Sequence, residues 1–517
     1  MASTSRVTLL LRAAAASCAW IAALGAIAQP VPCRVEGIRS EVLCGSVLRP
    51  LDPARPDGTK IVIHYVVVPA TARRKLPDAV FLLAGGPGQS AIALAPSVLP
   101  LFPRLNNRRD IVFVDQRGTG RSAALECDDP RDLPLAEQAE PHAQERSVLE
   151  CRDRLARLPW LSDDAQSSLG PQGTPLALGR SGALGDANGL RHFTTWVAMQ
   201  DLEAVRQQLG GAPVNLVGGS YGTRAALEYM RQFPQGVRRA VLDGVVPPDM
   251  ALPVASSADA QAAFDALLAA CEAEAACAAR YPHLRADWVG LLARLPMPIT
   301  VARPLSGQIE RFTLTRDALL QWVRSPLYAP AVAAALPAAL HDAARGRFQG
   351  LVGLVALVDG RRSSAPAMGM HFSVVCAEDA PRMAASSDRP GADFGDGTAA
   401  SYGRICASWP RGEVPAAFYK IGQSAAPVLL FSGGLDPATP PRHGALVAAA
   451  LGPNALHVVV PQAGHGVMSI GCARDLLFRF IDAGTNAEAL QLDADCLKHI
   501  PRPGAFLPID AATGHAR

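Results

Sequence analysis

The sequence predicts an α/β architecture: a mostly parallel sheet covered by helices and interrupted by one large helical insertion. Three observations carry this expectation. Short, continuous apolar runs of strand length recur along the chain, helical patterns lie between them, and the alternation stops from about 250 to 415 before resuming. All-apolar runs mark strands buried on both faces, and strands alternating with helices imply parallel pairing through crossovers.

The chain has 517 residues, of which 49% are hydrophobic and 18% charged, enough apolar material for a core larger than one small domain needs. Residues 1–28 are expected to be a signal peptide. Arg6 and Arg12 supply its positive start. Residues 13–28 form an apolar run too short to span a bilayer comfortably, and Ala26-Ile27-Ala28 offers a small-x-small cleavage site before Gln29 and Pro30. The competing readings are a membrane anchor and a lipoprotein modified at Cys18, for which Ala15 is smaller than the preferred residue. No later run of 18 uninterrupted apolar residues occurs, so no stable membrane insertion is expected after signal removal. Loss of Arg6 and Arg12 would lower the net charge from +3 to +1, with 47 basic residues against 46 acidic. Without a basic block or an aromatic–basic stripe, nucleic acid is not an expected partner.

Residues 29–249 are read as the first part of the core, opening with a lead at 29–58 that can close a disulfide loop. Strands are expected at Ile61–Val68, Val80–Leu83, Ile111–Val114, Val214–Val217 and Ala240–Leu242. Ala198, Leu202, Val205 and Leu209 recur at helical intervals, with Thr194 or Thr195 to cap the start and Gly210-Gly211 to end it. Residues 250–415 are Ala- and Leu-rich and read as a helical cap, with helices at Asp259–Glu274, Arg316–Val323 and Ala331–Arg345. Residues 416–517 return to the core, with strands at Val428–Phe431 and Val458–Val460.

Eleven cysteines become ten, an even number, once Cys18 leaves with the signal. They fall in local pairs: Cys33 with Cys44, Cys127 with Cys151, Cys271 with Cys277, Cys376 with Cys406, and Cys472 with Cys496. An even count suits disulfides in an oxidising compartment, so a periplasmic or secreted location is expected, although proximity alone does not decide connectivity. No Cys-x-x-Cys or His-x-x-x-His spacing occurs, so neither a metal nor another cofactor is expected.

The chemistry is carried by three segments. Val214–Gly222 reads as an apolar strand running into Gly218-Gly219-Ser220-Tyr221-Gly222, with a helical stretch after it. Gly-x-Ser-x-Gly between strand and helix is the nucleophile elbow of the α/β-hydrolase fold. Small residues two before and two after the serine let strand and helix approach. The elbow also places the Tyr221 N–H where a developing oxyanion can be bound. In this fold the acid and the histidine follow the serine in chain order, and the cap lies between the sixth and seventh core strands. Asp436 lies just past the strand at 428, and His465 lies 29 residues later between two glycines. Ser220 is therefore the expected nucleophile, His465 the general base and Asp436 the group that orients it. Asp243, which also ends a strand, is the competing acid and more naturally structural. His457 and His443 read as packing or surface residues, and His371 as a weaker substrate contact. Leu82–Ser90 holds Gly85-Gly86-Pro87-Gly88; proline has no N–H, so Gly86 is the expected second oxyanion donor, with Gly85 as the alternative. Asp115–Ser122 reads as a structural loop.

Gly85-Gly86-Pro87-Gly88, Asp115-Gln116-Arg117-Gly118 and Gly218–Gly222 together resemble the prolyl iminopeptidase and tripeptidyl aminopeptidase group of serine peptidases. The Asp436 and His465 segments match in order, and the tail resembles the tripeptidyl-aminopeptidase C-terminal region. The resemblance covers most of residues 60–250 and 370–500. A histidine often precedes the Gly-Gly-Pro-Gly of the group, and Ala84 here departs from a strict proline iminopeptidase. The resemblance implies release of N-terminal residues or short peptides, which requires a carboxylate for the substrate's α-ammonium. Glu378 and then Asp379 are candidates, the alternative being a solvated pair beside a disulfide. A carboxylesterase or lipase-like hydrolase would use the same triad on an ester. A non-catalytic protein on a hydrolase scaffold is a further rival, and the intact Ser220, Asp436 and His465 argue against it.

Overall fold

The structure is a computed structural model, and it describes residues 29–129, 133–140, 142–158, 187–359 and 365–508. The expected signal peptide, residues 1–28, lies outside them.

Eleven strands are present among these residues: β1 (Val31–Cys33), β2 (Val42–Pro50), β3 (Lys60–Val68), β4 (Val80–Leu83), β5 (Ile111–Val114), β6 (Val214–Gly219), β7 (Val237–Asp243), β8 (Met297–Ala302), β9 (Ile309–Leu314), β10 (Val428–Gly433) and β11 (Ala455–Val460). Nine of them form one sheet in the order β1-β2-β3-β5-β4-β6-β7-β10-β11. From β5 to β11 every neighbouring pair is parallel, while β1, β2 and β3 attach antiparallel at one side. Apart from the three-residue β1, the sheet has eight strands, and the insertion leaves it between the sixth and the seventh, β7 and β10.

The period-two geometry of a strand explains the all-apolar runs. In β10, Val428 and Leu430 enter the core on one face of the sheet, while Leu429 and Phe431 enter the core on the other. Each such fully buried side chain contributes roughly 1.5–3 kcal/mol. The helices that matter for the site are α1 (Thr195–Gln208), α2 (Tyr221–Gln232), α3 (Leu252–Ala273), α4 (Arg316–Leu327), α5 (Met368–Glu378) and α6 (Ala473–Asp482). Thr194 caps α1 by accepting from the Val197 N–H.

Three local expectations change. The lead at 29–58 contains β1 and β2, a half-exposed pair whose mixed composition hides the strand pattern. The insertion contains the β8–β9 hairpin; Ile299 and Val301 are buried and their neighbours Pro298 and Thr300 exposed, which is strand alternation. The helix expected at Ala331–Arg345 is two helices, Pro330–Ala333 and Leu336–Ala343, each with a proline in its first turn.

Disulfides join Cys33–Cys44, Cys127–Cys151, Cys271–Cys277, Cys376–Cys406 and Cys472–Cys496. Beyond the last of these the chain turns back onto the insertion. The Phe506 N–H donates to the Ala334 carbonyl at 2.8 Å, and Arg502 Nη1 donates to the Ala266 carbonyl of α3 at 3.2 Å. Among the described residues no helix is long and apolar enough to cross a membrane.

Candidate active site

β6 is buried along its length and delivers Ser220 to the carboxyl edge of the sheet, where α2 begins at once. Ser220 sits at φ 54, ψ −125. That is left-handed backbone for a residue with a Cβ, a strain of roughly 1–3 kcal/mol of the kind found at functional turns. The flanking glycines are required by space. A Cβ on Gly222 would lie 2.2 Å from the Leu83 carbonyl oxygen, and one on Gly218 would lie 2.4 Å from that of Gly222. The Tyr221 N–H, first in α2, has no acceptor within its helix. The Gly85–Gly88 loop lies alongside: a Cβ on Gly85 would be 3.3 Å from the Ser220 Cβ. The start of α5 grips that loop, with the Ala367 N–H donating to the Gly88 carbonyl at 2.9 Å and His371 Nδ1 3.2 Å from the Pro87 carbonyl.

Asp436 follows β10 and is almost fully buried. One carboxylate oxygen accepts from the Ala438 and Thr439 N–H groups at 2.8 and 2.9 Å; the other accepts from Thr439 Oγ1 at 2.7 Å and meets His465 Nδ1 at 2.8 Å. Burial alone would raise its pKa, but the His465 charge and these hydrogen bonds hold it below the ordinary value. His465 follows β11. Its N–H donates to the Tyr328 carbonyl at 3.0 Å, and the Tyr328 ring packs edge-on against the imidazole at 5.1 Å. Burial disfavours the imidazolium, but the carboxylates of Asp436 and Asp243 outweigh burial and the opposing charge of Arg324, so His465 titrates above its ordinary value.

The end of β7 joins the serine to the histidine. The Ser220 N–H donates to the Asp243 carbonyl at 2.8 Å. The Asp243 carboxylate accepts from the N–H groups of Val467, at 2.8 and 2.9 Å, and Met468, at 2.8 Å, just past His465. Gly244 completes the junction: a Cβ there would lie 3.3 Å from His465 Cε1. Burial pushes the Asp243 carboxyl up to about 6, against its hydrogen bonds. The imidazole therefore pairs with Asp436, while Asp243 holds the backbone of the histidine loop. Ser220 and His465 form no hydrogen bond with each other here, and such contacts tighten in substrate complexes.

A family model described as alpha/beta hydrolase fold matches residues 78–270, and a second, described as TAP-like protein, matches residues 392–496. The chain has the α/β-hydrolase fold. Serine protease Hip1 of Mycobacterium tuberculosis is 32% identical over 232 residues, 43% of this chain and 41% of that protein. The tripeptidyl aminopeptidase of Streptomyces coelicolor is 31% identical over 211 residues, 40% of this chain and 36% of that protein. Carboxylesterase B of M. tuberculosis is 28% identical over 442 residues, 79% of this chain and 78% of that protein. The matches to the first two span about two fifths of their length.

The remaining candidates in this hydrolase fall elsewhere. His443 Nε2 is 2.8 Å from Asp259, and His457 Nε2 is 3.0 Å from the Ser432 hydroxyl. His371 bridges the Pro87 carbonyl and the Tyr402 hydroxyl. In the Asp115–Ser122 loop, Asp115 accepts from Ser90 Oγ at 2.7 Å, and Arg117 makes a two-pronged pair with Asp201 at 2.7 and 2.9 Å, so the loop ties the sheet to α1.

Glu378 and Asp379 require a correction. Both side chains are 0% exposed. Glu378, at the end of α5, which is buried from Gly369 onward, accepts from the Thr195 N–H at 2.7 Å and Thr195 Oγ1 at 2.9 Å, with Arg224 of α2 3.7 Å away. Asp379 takes both Arg224 Nη atoms at 3.0 and 3.1 Å and the Leu252 N–H at 3.0 Å. Neither is open to a substrate ammonium, because Thr195, Arg224 and the Leu252 N–H enclose both carboxylates. Burial pushes the Glu378 carboxyl up to about 8 despite Arg224. Thr195 Oγ1 also meets the Tyr221 hydroxyl at 2.6 Å, so this hidden network supports the elbow from below. The sequence reading overlooks Arg224, Thr439, Tyr328 and Arg324; an arginine within an otherwise Ala- and Leu-bearing helix stretch is the signal available for Arg224.

Proposed function

We propose that the chain is an exported serine hydrolase that releases N-terminal residues or short peptides through an acyl-enzyme on Ser220. One observation carries the chemistry: the His465–Asp436 pair, at 2.8 Å, stands on a loop anchored to the same strand end that holds the Ser220 backbone. In this reading the Nε2 of neutral His465 takes the Ser220 proton as the hydroxyl attacks the acyl carbon. Asp436 fixes the tautomer at Nδ1 and stabilises the imidazolium, and the N–H groups of Gly86 and Tyr221 take the oxyanion. The imidazolium then protonates the leaving group, and water repeats the sequence to free the acid. The peptide preference draws support from the serine protease and the tripeptidyl aminopeptidase among the relatives. Export draws support from five disulfides, which persist in oxidising compartments.

A second reading, a carboxylesterase, has two observations in its favour. Glu378 and Asp379 are committed to Arg224, and carboxylesterase B matches the larger share of the chain. Fluorophosphonate labelling tests the shared chemistry: wild type is expected to label at Ser220, and Ser220→Ala to be inert. Rates on tripeptidyl and aminoacyl arylamides against a p-nitrophenyl ester then separate the two readings. Ester turnover without arylamide turnover would reject the peptidase.

A further inference from the structure

The roof of the site carries a cation that the triad does not use. Arg324 lies near the end of α4, one turn before Tyr328, the residue whose carbonyl and ring both meet His465. Arg324 Nη2 donates to the Tyr328 hydroxyl at 2.9 Å, and its guanidinium carbon stands 5.4 Å from the centre of that ring. Its Nε is buried and makes no hydrogen bond. No carboxylate pairs with it among the described residues.

The fully buried arginines of the fold are matched. Arg109 pairs with Asp78 and Asp482, Arg117 with Asp201, and Arg224 with Asp379. Arg239 lacks a carboxylate, but its Nη atoms donate to the carbonyls of Phe480, Ile481, Ala483 and Thr485 at the end of α6. Arg324 has neither solution. Its charge also reaches Tyr402: burial pushes the Tyr402 phenol up to about 12 and Arg324 pulls against it, while the Tyr402 hydroxyl meets His371, which contacts Pro87 of the glycine loop. A half-buried guanidinium with an unpaired donor is suited to a planar anion, which it can grip with two parallel hydrogen bonds.

We infer that Arg324 binds a carboxylate of the substrate on the leaving-group side of the scissile bond. The side follows from Tyr328. This residue ties Arg324 to His465, and His465 is the group that protonates the departing atom. The inference rests on the proposed hydrolase chemistry and adds a substrate class to it. The carboxylate is either the free C-terminus of a short peptide or an acidic side chain on the residue just after the cleaved bond.

The test uses the full mature chain with its disulfides intact and four matched peptides. They are a tetrapeptide with a free C-terminal carboxylate, its C-terminal amide, and two amides carrying Asp or Asn after the scissile bond. Wild type is expected to favour a carboxylate-bearing member by about ten- to hundredfold in kcat/KM, mostly through KM, as a charge-assisted contact does. The favoured pair identifies the source of the carboxylate. Arg324→Gln should bring the ratio towards one, and Arg324→Lys should keep part of it. If the enzyme turns over esters alone, the same ratio is read on esters of 4-hydroxybenzoate and 4-hydroxybenzamide. Fluorophosphonate labelling reports the hydrolase separately. Labelled wild type with no preference for a carboxylate, or an Arg324→Gln variant that keeps the preference, overturns the assignment of Arg324 alone. Absence of labelling overturns the chemistry on which it rests.

Discussion

Asp243→Asn should stabilise the protein above pH 6 while weakening its catalysis. The Asp243 carboxyl is fully buried, and its pKa is pushed from an ordinary 3.8 to about 6. Because the folded value is the higher one, the penalty is absent below pH 3.8, grows as pH rises through the window, and is complete above 6. A rise of that size corresponds to about 3 kcal/mol of stability lost to the ionised group. Asparagine keeps a carbonyl oxygen for the Val467 and Met468 N–H groups and removes the charge. Urea unfolding at pH 8 should therefore show the variant more stable by up to about 3 kcal/mol, with the gap closing towards pH 4. In the active enzyme the same change removes a negative charge that supports the His465 imidazolium and loosens the turn behind it. The acid limb of kcat/KM should move to lower pH and the plateau should fall. A variant less stable than wild type at pH 8, or a gap that does not change with pH, would refute this account of Asp243.

Three further outcomes are expected. In wild type, kcat/KM should fall as pH drops through an apparent pKa above 6.5, since His465 must be neutral to act as base and its carboxylate neighbours raise it; Asp436→Asn should lower kcat on the order of 10⁴-fold, measured by steady-state kinetics. Arg224→Met leaves Glu378 and Asp379 buried without their cation and should cost about 3–5 kcal/mol in urea unfolding; a loss under about 1 kcal/mol would show that the trio is not coupled. Gly222→Ala forces a Cβ to within 2.2 Å of the Leu83 carbonyl and should abolish fluorophosphonate labelling even in whatever fraction folds.

The elements legible in the sequence are those with a local signature. Ser220 and Asp436 each follow a strand buried along its length, and His465 follows the half-buried edge strand β11; in each case an apolar run followed by glycines marks the place where the loop leaves the sheet. The seven strands from β3 to β7, β10 and β11 are read in the same way. What escapes is long-range pairing. Glu378 and Asp379 read in sequence as an ammonium anchor or a solvated pair, but their partner Arg224 lies about 150 residues earlier, and nothing local announces that the end of α5 meets α2. The β1–β2 pair escapes because a half-exposed edge tolerates Gly45, Ser46 and Arg49, which blur the alternation. Thr439 reaches His465 from the Asp436 loop, and Tyr328 and Arg324 reach it from the end of α4, so only the folded chain shows them as neighbours.

The return of residues 502–506 onto the insertion has a mechanical consequence. A roof fastened only where its chain leaves β7 and re-enters at β10 could swing like a door. Here the returning segment adds a further fastening, at Ala266 and Ala334, to the contacts that His443 makes with Asp259 and His465 with Tyr328. Lifting the roof as one body would first have to peel that segment away.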